Sequence, residues 1–227
     1  MAVFSPEHGF RGEKQAESGD PIVYRDEVTG LPVFSAYNMT PSELSHVLTR
    51  MNITMVVVDM QDVGVRLYTF IWTMYNMMEA ATSADVTVLV TDRPNPLGNI
   101  IDGPLLNTSC CISGYGRFAI PHMHGMTIAE LASLFASTLH TSLITVTMLH
   151  YHRTMSWDAT ELPWTPPSPN IPTVSSAIAY AASVFLEATT VSEGRGTTTP
   201  FEYFGAPFLN AQVGYHDKYV INTTLQW

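Results

Sequence analysis

The sequence lacks any run of positive charge. Its 227 residues hold 10 Lys and Arg against 20 Asp and Glu, which gives a formal net charge of −10 at pH 7. An acidic protein is repelled by phosphate backbones and by anionic lipid headgroups. The composition therefore argues against nucleic acid and against anionic membrane surfaces as partners.

Cysteines and long apolar segments are also scarce. Cys110 and Cys111 are the only two cysteines, and because they are adjacent they neither link distant parts of the chain nor have the spacing of a metal site. The longest mostly apolar run, residues 67–78, is too short to span a bilayer. No basic segment followed by an apolar one opens the chain, so no signal peptide is expected and the localisation stays unknown.

Three sequence motifs of nucleotide and ester chemistry are missing. No Gly-x-Gly-x-x-Gly follows a predicted strand, no glycine-rich loop ends in Gly-Lys-Ser/Thr, and Gly-x-Ser-x-Gly does not occur. The segment 192–197 resembles a phosphate loop only superficially. These absences argue against a dinucleotide cofactor, a bound nucleotide and a hydrolase-type serine nucleophile, and no cofactor is expected.

Apolar residues make up 46% of the chain and charged residues 13%, which indicates a folded protein with a sizeable core. Strand and helix patterns alternate with short links, and two helices open with a capping box, at Thr40 and at Thr127. The β-branched run 53–58 is typical of a strand buried on both faces. The pattern predicts an α/β fold with a largely parallel sheet and helices on both faces. The Pro-rich segment that begins at residue 162 predicts a first domain over 1–161 and a second over 162–227.

Polar side chains follow the predicted strands at the point where each strand ends. Because the carboxyl ends of parallel strands meet at one edge of a sheet, we expect these side chains to converge there. The four groups are Glu7, His8 and Arg11; Asp59, Gln61 and Asp62; Asp92, Arg93 and Asn95; and His150, His152 and Arg153.

The second group allows two interpretations. Asp62 and Arg66 are four residues apart, so they could form an ion pair at a helix start. Alternatively, Asp59 or Gln61 binds ligand hydroxyls and Asp62 orients Arg66. In the third group, two prolines hold Asp92, Arg93 and Asn95 in a rigid loop, which favours ligand recognition.

Two further segments carry candidate residues. His122 and His124 could suggest a metal pair, but no third ligand pattern lies nearby, so no metal is expected and His124 is predicted to form hydrogen bonds ahead of a helix. Glu193 and Arg195 lie among glycines and could either sit in a solvated loop or reach across a cleft toward the first group.

The strong acids Glu7, Asp59, Asp92 and Glu193, together with neutral groups such as Gln61, Asn95 and Asn170, predict a polyhydroxylated ligand. Tyr68, Trp72, Trp157 and Trp164 could supply apolar faces for sugar rings or belong to the core. Glycoside hydrolysis uses two carboxyl groups whose separation decides the stereochemical outcome, and that separation is not readable from sequence.

Seven motifs together resemble one family, the exo-β-N-acetylmuramidases (NamZ-type glycoside hydrolases), long catalogued as a domain of unknown function. The segments that carry the resemblance are 5–12 (Ser-Pro-Glu-His-Gly-Phe-Arg-Gly), 59–70, 92–96 (Asp-Arg-Pro-Asn-Pro), 102–106, 124–128, 168–173 and 192–201. The resemblance covers roughly residues 3 to 211.

The resemblance implies a Rossmann-like first domain, a second α/β domain and a cleft between them. It also implies release of N-acetylmuramic acid from the non-reducing ends of peptidoglycan fragments, and it places the acid/base carboxylate at Glu7. Glu193 is the candidate for a second catalytic carboxylate. The expected substrate-binding residues are His8, Arg11, Asp59, Gln61, Asp62, Arg66, Asp92, Arg93, Asn95, His124, Asn170 and Arg195.

The chain also departs from the family pattern. Family members usually have Arg where this chain has Met123, and a methionine does not pair with a substrate carboxylate. Members also begin well upstream and continue beyond residue 211, so the chain is expected to be a fragment, incomplete at both ends. A catalytically impaired sugar-binding protein of the same fold is the main alternative, and a metal-dependent hydrolase built on His122 and His124 is a third.

Overall fold

The computed structural model describes residues 1–15, 22–209 and 213–214. The chain divides into two compact units, Met1–Leu162 and a second that begins at Pro163. The last part of the predicted second domain, residues 210–212 and 215–227, lies outside the described residues.

The first unit contains two three-stranded sheets. The strands of the first sheet are β1 (Val3–Ser5), β2 (Val23–Arg25) and β3 (Pro32–Ser35), in the order β1-β3-β2. In it β1 is parallel and β2 is antiparallel to β3. The strands of the second sheet are β4 (Met55–Val58), β5 (Thr87–Thr91) and β8 (Leu143–Val146), all parallel, in the order β4-β5-β8.

Three helices cover the core of the first unit: α1 (Pro41–Arg50), α2 (Phe70–Ala84) and α3 (Ile128–Leu139). Their fully buried side chains, such as Leu44, Ile71 and Phe135, pack with Val88 and Val90 of β5. Between β5 and α3, the short strands β6 (Ile101–Asp102) and β7 (Met123–His124) form an antiparallel pair. The α/β class predicted from the sequence is confirmed.

The two predicted capping boxes form as expected. The Thr40 hydroxyl accepts a hydrogen bond from the Glu43 amide, and the Glu43 carboxylate accepts one from the Thr40 amide. Thr127 and Glu130 do the same at the start of α3. Both helices begin where the sequence predicts, because a capping box needs only residues within one helical turn.

Two sequence-based expectations are wrong. Residues 53–58 were expected to be buried on both faces, yet β4 alternates and Val57 is 60% exposed. The candidate polar groups were expected at one edge of one sheet, yet Glu7 follows a strand of the first sheet whereas Asp59 and Asp92 follow strands of the second. Strand alternation in the sequence does not reveal how many sheets the strands form.

The second unit contains α4 (Val174–Ser183), a 3₁₀ helix (Val184–Ala188) and the antiparallel pair β9 (Tyr203–Phe204) and β10 (Val213–Gly214). Thr173 caps α4 by accepting a hydrogen bond from the Ser176 amide at 3.0 Å. The buried carboxylate of Glu202 accepts a hydrogen bond from the Ser176 hydroxyl at 3.0 Å. This contact ties the segment before β9 to α4.

Candidate active site

The loop after β1 holds Glu7 in a tight turn. The amide of Gly9 donates to the carbonyl of Pro6, and the amide of Lys14 donates to the carbonyl of His8 at 3.0 Å. His8 has φ of 70°, a left-handed conformation that costs energy for a residue with a side chain and that concentrates at functional sites. Its Nδ1 donates to the carbonyl of Lys14 at 3.0 Å, which orients the ring.

Glu7 is bound by a residue at the start of α2. The Thr69 hydroxyl donates to Oε2 of Glu7 at 2.6 Å, and the Thr69 side chain is buried. No hydrogen-bond partner within the described residues occupies Oε1 of Glu7. The carboxylate is therefore held at one oxygen and open at the other, as a group that exchanges a proton with a ligand requires.

A cavity of about 300 Å³ lies beside this carboxylate. One wall is a face of α2 and its N-cap, formed by Thr69, Trp72, Thr73 and Asn76. These positions follow the i, i+3, i+4, i+7 spacing that places side chains on one side of a helix. Because Thr69 both lines the cavity and binds Glu7, the carboxylate lies within one hydrogen bond of the cavity wall.

The other cavity walls come from Tyr37 and from the segment between β6 and β7, through residues 112–114 and Arg117. Residues 112–114 directly follow Cys110 and Cys111, which are joined by a disulfide. A set of aromatic, hydroxyl, amide and guanidinium groups is suited to binding a polar ring compound.

Sequence reasoning missed most of the cavity-lining residues. Of this lining it proposed only Trp72, which it assigned equally to a sugar-binding face or to the core, and the Trp72 side chain is buried with Nε1 donating to the Arg66 carbonyl at 2.7 Å. The available signal was the polar spacing of Thr69, Thr73 and Asn76 within an otherwise apolar helix.

Asp62 and His124 form a buried pair away from solvent. His124 Nε2 donates to Oδ2 of Asp62 at 3.1 Å, and the same oxygen accepts a hydrogen bond from the Gly64 amide at 2.8 Å. His124 Nδ1 accepts from the Met126 amide at 3.2 Å, which fixes the tautomer of a neutral ring. The predicted hydrogen-bonding role of His124 is confirmed.

Arg66 does not pair with Asp62, so both sequence-based interpretations of that pair are wrong. Arg66 Nη1 donates instead to the carbonyls of Pro104 and Ile120, at 2.8 and 2.6 Å. Burial lowers the pKa of the Arg66 guanidinium below its ordinary value. Asp62 binds His124 and the Gly64 amide instead, and local spacing does not reveal a partner 62 residues away.

Gln61 and Asn95 are buried and bind backbone groups. Gln61 Nε2 donates to the carbonyls of Asp62 and Pro94, at 2.7 and 3.0 Å. Asn95 Nδ2 donates to the Met126 carbonyl at 3.0 Å. These contacts join the loop after β4, the loop after β5 and the segment before α3.

Asp59, Asp92 and Arg93 lie at the carboxyl edge of the second sheet. Arg93 binds the exposed Asp59 through Nε at 2.8 Å and Nη2 at 2.7 Å. Asp92 accepts a hydrogen bond from the Ala129 amide at 3.0 Å, so its negative charge lies at the amino-terminal end of α3.

Arg11 binds Asp26 through two hydrogen bonds, at 2.6 and 3.1 Å. The Arg11 guanidinium, together with hydrogen bonds from Thr29, holds the pKa of the Asp26 carboxyl well below its usual range. This bidentate pair links the loop that carries Glu7 to the turn after β2.

The remaining candidates belong to the second unit. Arg195 binds Glu187, and its Nε lies 3.1 Å from the buried Glu193. The amide of Asn170 donates to the Ser168 hydroxyl at 3.2 Å. Of the two interpretations of this loop, the solvated one does not hold for Glu193, which is buried and ion-paired within its unit.

Within residues 1–15, 22–209 and 213–214, no three His, Cys, Asp or Glu side chains are grouped to hold a metal ion. Nor does any helix in that part of the chain combine the length and apolar character needed to cross a bilayer.

Comparison with known proteins gives a consistent set of relatives. The family model described as exo-beta-N-acetylmuramidase NamZ, N-terminal, matches residues 1–175, and its C-terminal counterpart matches residues 178–218. The peptidoglycan beta-N-acetylmuramidase NamZ of Bacillus subtilis (strain 168) is 48% identical over 214 residues, which is 92% of this chain and 50% of that protein. The chain thus spans about half the length of this curated relative.

Two crystal structures of DUF1343 family proteins from Bacteroides fragilis NCTC 9343 share the fold. The first has a TM-score of 0.81 and 37% identity, covering 92% of this chain and 53% of its own. The second has a TM-score of 0.73 and 34% identity, with coverages of 91% and 54%.

Proposed function

The chain belongs to the exo-β-N-acetylmuramidase NamZ family, and from this we propose that it is part of a glycosidase that releases N-acetylmuramic acid from the non-reducing ends of peptidoglycan fragments. The observation that carries the proposal is the carboxylate of Glu7, held by Thr69 at the wall of a cavity of about 300 Å³. Small-molecule sites have volumes of roughly 300–1,000 Å³, so this cavity suits one sugar unit better than a long glycan.

Glu7 is proposed as the general acid and base. When the bond between the anomeric carbon and the bridging oxygen breaks, the protonated Glu7 gives its proton to that oxygen. Water then adds to the anomeric carbon and returns a proton to the protein. The turn that holds His8 at positive φ, and the hydrogen bond from Thr69, keep the carboxylate in one orientation through both steps.

Glu193 is proposed as the second carboxylate, in keeping with the family motif around it. Its pairing with Arg195, whose Nε lies 3.1 Å from Oε1, would orient the carboxyl group. A separation of about 5 Å between the two carboxyl groups would give retention of configuration, and a larger one of roughly 6.5–9.5 Å would give inversion.

The other candidate residues are proposed to act in two ways. Groups that solvent reaches can bind substrate hydroxyls directly; these are His8, Arg11, Asp59, Arg66, Asp92, Arg93, Asn170 and Arg195. Buried groups act through the loops they hold; these are Gln61, Asp62, Asn95 and His124. Buried hydrogen-bonded networks stabilise a single loop conformation, which a precise site requires.

A chromogenic N-acetylmuramic acid glycoside tests the proposal. We expect Glu7→Gln to lower kcat by roughly 10²- to 10⁴-fold, since glutamine has no proton to transfer. Glu13→Gln is the matched control, because Glu13 is an exposed carboxylate in the same loop, and it should keep wild-type turnover. Turnover that is unaffected by Glu7→Gln would remove Glu7 from the mechanism. Sugar binding without any turnover in the wild-type chain would instead support the sugar-binding alternative.

A further inference from the structure

Arg117 is the arginine that lines the cavity beside Glu7, and unlike half of the arginines in this acidic chain it has no carboxylate partner among the described residues. Four arginines pair with carboxylates, namely Arg11, Arg93, Arg153 and Arg195. In the part of the chain that the structure describes, no carboxylate lies within ion-pair distance of Arg117, although the whole sequence holds twice as many acids as bases. A partly buried cation without a counter-charge is costly unless an anion from outside compensates it.

The position of Arg117 is fixed by two neighbours on α2. Its Nη1 donates to Oδ1 of Asn76, and its guanidinium carbon lies 5.7 Å from the centre of the Tyr75 ring. A guanidinium has five N–H donors in a planar fork that matches a carboxylate, so the bond to Asn76 leaves most of that fork for a ligand. Arg117 and Asn76 both line the cavity beside Glu7.

The charge balance of the cavity indicates which anion fits. Glu7 lies one hydrogen bond from the cavity wall, and Arg117 is the cationic residue in the lining. One guanidinium balances a single negative charge, whereas a phosphate dianion near Glu7 would need further cations. The arrangement favours a monocarboxylate on a ligand of about one sugar in size.

Building on the proposed glycosidase function, we propose that Arg117 and Asn76 form the subsite that binds the lactyl carboxylate of the terminal N-acetylmuramic acid. N-acetylglucosamine has the same ring and acetamido group but lacks this carboxylate. Arg117 would thereby determine which amino sugar the site accepts, while Glu7 acts on the glycosidic bond. The Trp72 and Tyr37 side chains form adjoining walls for the sugar ring.

The test measures binding in the full chain by isothermal titration, in a Glu7→Gln background so that turnover plays no part. The ligands are free N-acetylmuramic acid, its methyl ester and N-acetylglucosamine. We expect N-acetylmuramic acid to bind more tightly than the other two. Arg117→Met should weaken the binding of N-acetylmuramic acid by about 10- to 100-fold, which is the loss in affinity expected when a hydrogen bond to a charged group is removed. The same substitution should change the affinity for N-acetylglucosamine by less than about 3-fold.

Two controls keep this test decisive. Arg50→Met removes an exposed arginine in the last turn of α1 and should leave all three affinities unchanged. The methyl ester removes the ligand charge without altering the protein, so it tests the subsite even where Arg117→Met fails to fold. Arg117→Lys keeps the charge but loses the fork and should give an intermediate affinity.

The possible outcomes separate the two proposals. Equal binding of N-acetylmuramic acid and its methyl ester by the Glu7→Gln chain, or an equal loss for both sugars in Arg117→Met, overturns the subsite. A chain that binds N-acetylmuramic acid through Arg117, but whose wild type hydrolyses none of its glycosides, supports the subsite and contradicts the proposed activity. A wild-type chain that hydrolyses the glycosides but binds N-acetylmuramic acid independently of Arg117 supports the proposed activity and contradicts the subsite.

Discussion

The hydroxyl of Thr69 lies 2.6 Å from Oε2 of Glu7 and donates a hydrogen bond to it. The two residues are 62 positions apart, and the bond joins the loop after β1 to the amino-terminal end of α2. The same threonine lines the cavity, so one hydroxyl connects the proposed catalytic carboxylate to the proposed sugar site.

We expect Thr69→Val to lower kcat on a chromogenic N-acetylmuramic acid glycoside by about 10- to 100-fold. Valine has the shape of threonine without the hydroxyl, so Glu7 loses its orienting bond, and a misplacement of about 1 Å costs that much in rate. Thr69→Ser keeps the hydroxyl and should retain most of the wild-type kcat. A Thr69→Val enzyme with an unchanged kcat and a raised KM would show instead that the hydroxyl binds substrate.

Asp62→Ala should lower the free energy of unfolding by about 3 kcal/mol, measured by urea denaturation followed by circular dichroism. The change removes the acceptor of hydrogen bonds from His124 and from the Gly64 amide, and each buried donor left unpaired costs about 1–3 kcal/mol. The control is Asp59→Ala, three residues earlier, which breaks an exposed ion pair with Arg93 and an exposed hydrogen bond from the Thr91 hydroxyl and should cost less than about 1 kcal/mol. Equal losses in the two variants would contradict a structural role for the buried pair.

Asp26→Asn should reveal a pH-dependent stabilisation. The pKa of Asp26 is depressed in the folded chain, chiefly by Arg11, so the contribution of the carboxylate is complete above its unfolded pKa of about 3.9 and declines as pH falls toward the folded pKa. The difference in unfolding free energy between wild type and Asp26→Asn should be constant from pH 7 to about 5 and should shrink below pH 4. A difference in unfolding free energy that grows as the pH falls would contradict a stabilising ion pair between Arg11 and the Asp26 carboxylate.

Gly64→Ala should be strongly destabilising, with a loss in thermal unfolding experiments well above that of Gly30→Ala. Both glycines have positive φ, at 81° and 69°, so both variants place alanine in a strained conformation. A Cβ on Gly64 would also overlap Oδ1 of Asn95, whereas a Cβ on Gly30 would meet no atom within 4 Å. The difference in stability loss between the two variants therefore measures the overlap of the new Cβ with Asn95. Equal losses would contradict a close approach of Asn95 to Gly64.

Local features of the fold were predictable from the sequence. The capping boxes at Thr40 and Thr127 depend on residues three positions apart, so they form wherever the helix itself forms. The bounds of α2 were less accurate, since the apolar pattern begins at residue 67 whereas the helix begins at Phe70. Tyr68 and Thr69 are as buried as Phe70 but belong to a turn ahead of the helix, and burial alone does not separate a turn from a first helical turn.

The candidate site was predictable only in part. Glu7 was recognisable because its motif is continuous in sequence. Asp62 and Arg66 were interpreted as partners because they are four residues apart, yet each binds a group from the segment 104–124 instead. Partners so distant in sequence leave no periodic signal.

The sequence by itself determined the α/β class, the two capped helices and the family, since these rest on patterns within single segments. Only the tertiary structure decided which side chains meet: Thr69 with Glu7, His124 with Asp62, and Arg117 with Asn76. Each of these contacts joins residues more than 40 positions apart. Their geometry depends on how helices and loops pack around the shared core, because packing places one segment against another and local propensity acts only within a few residues.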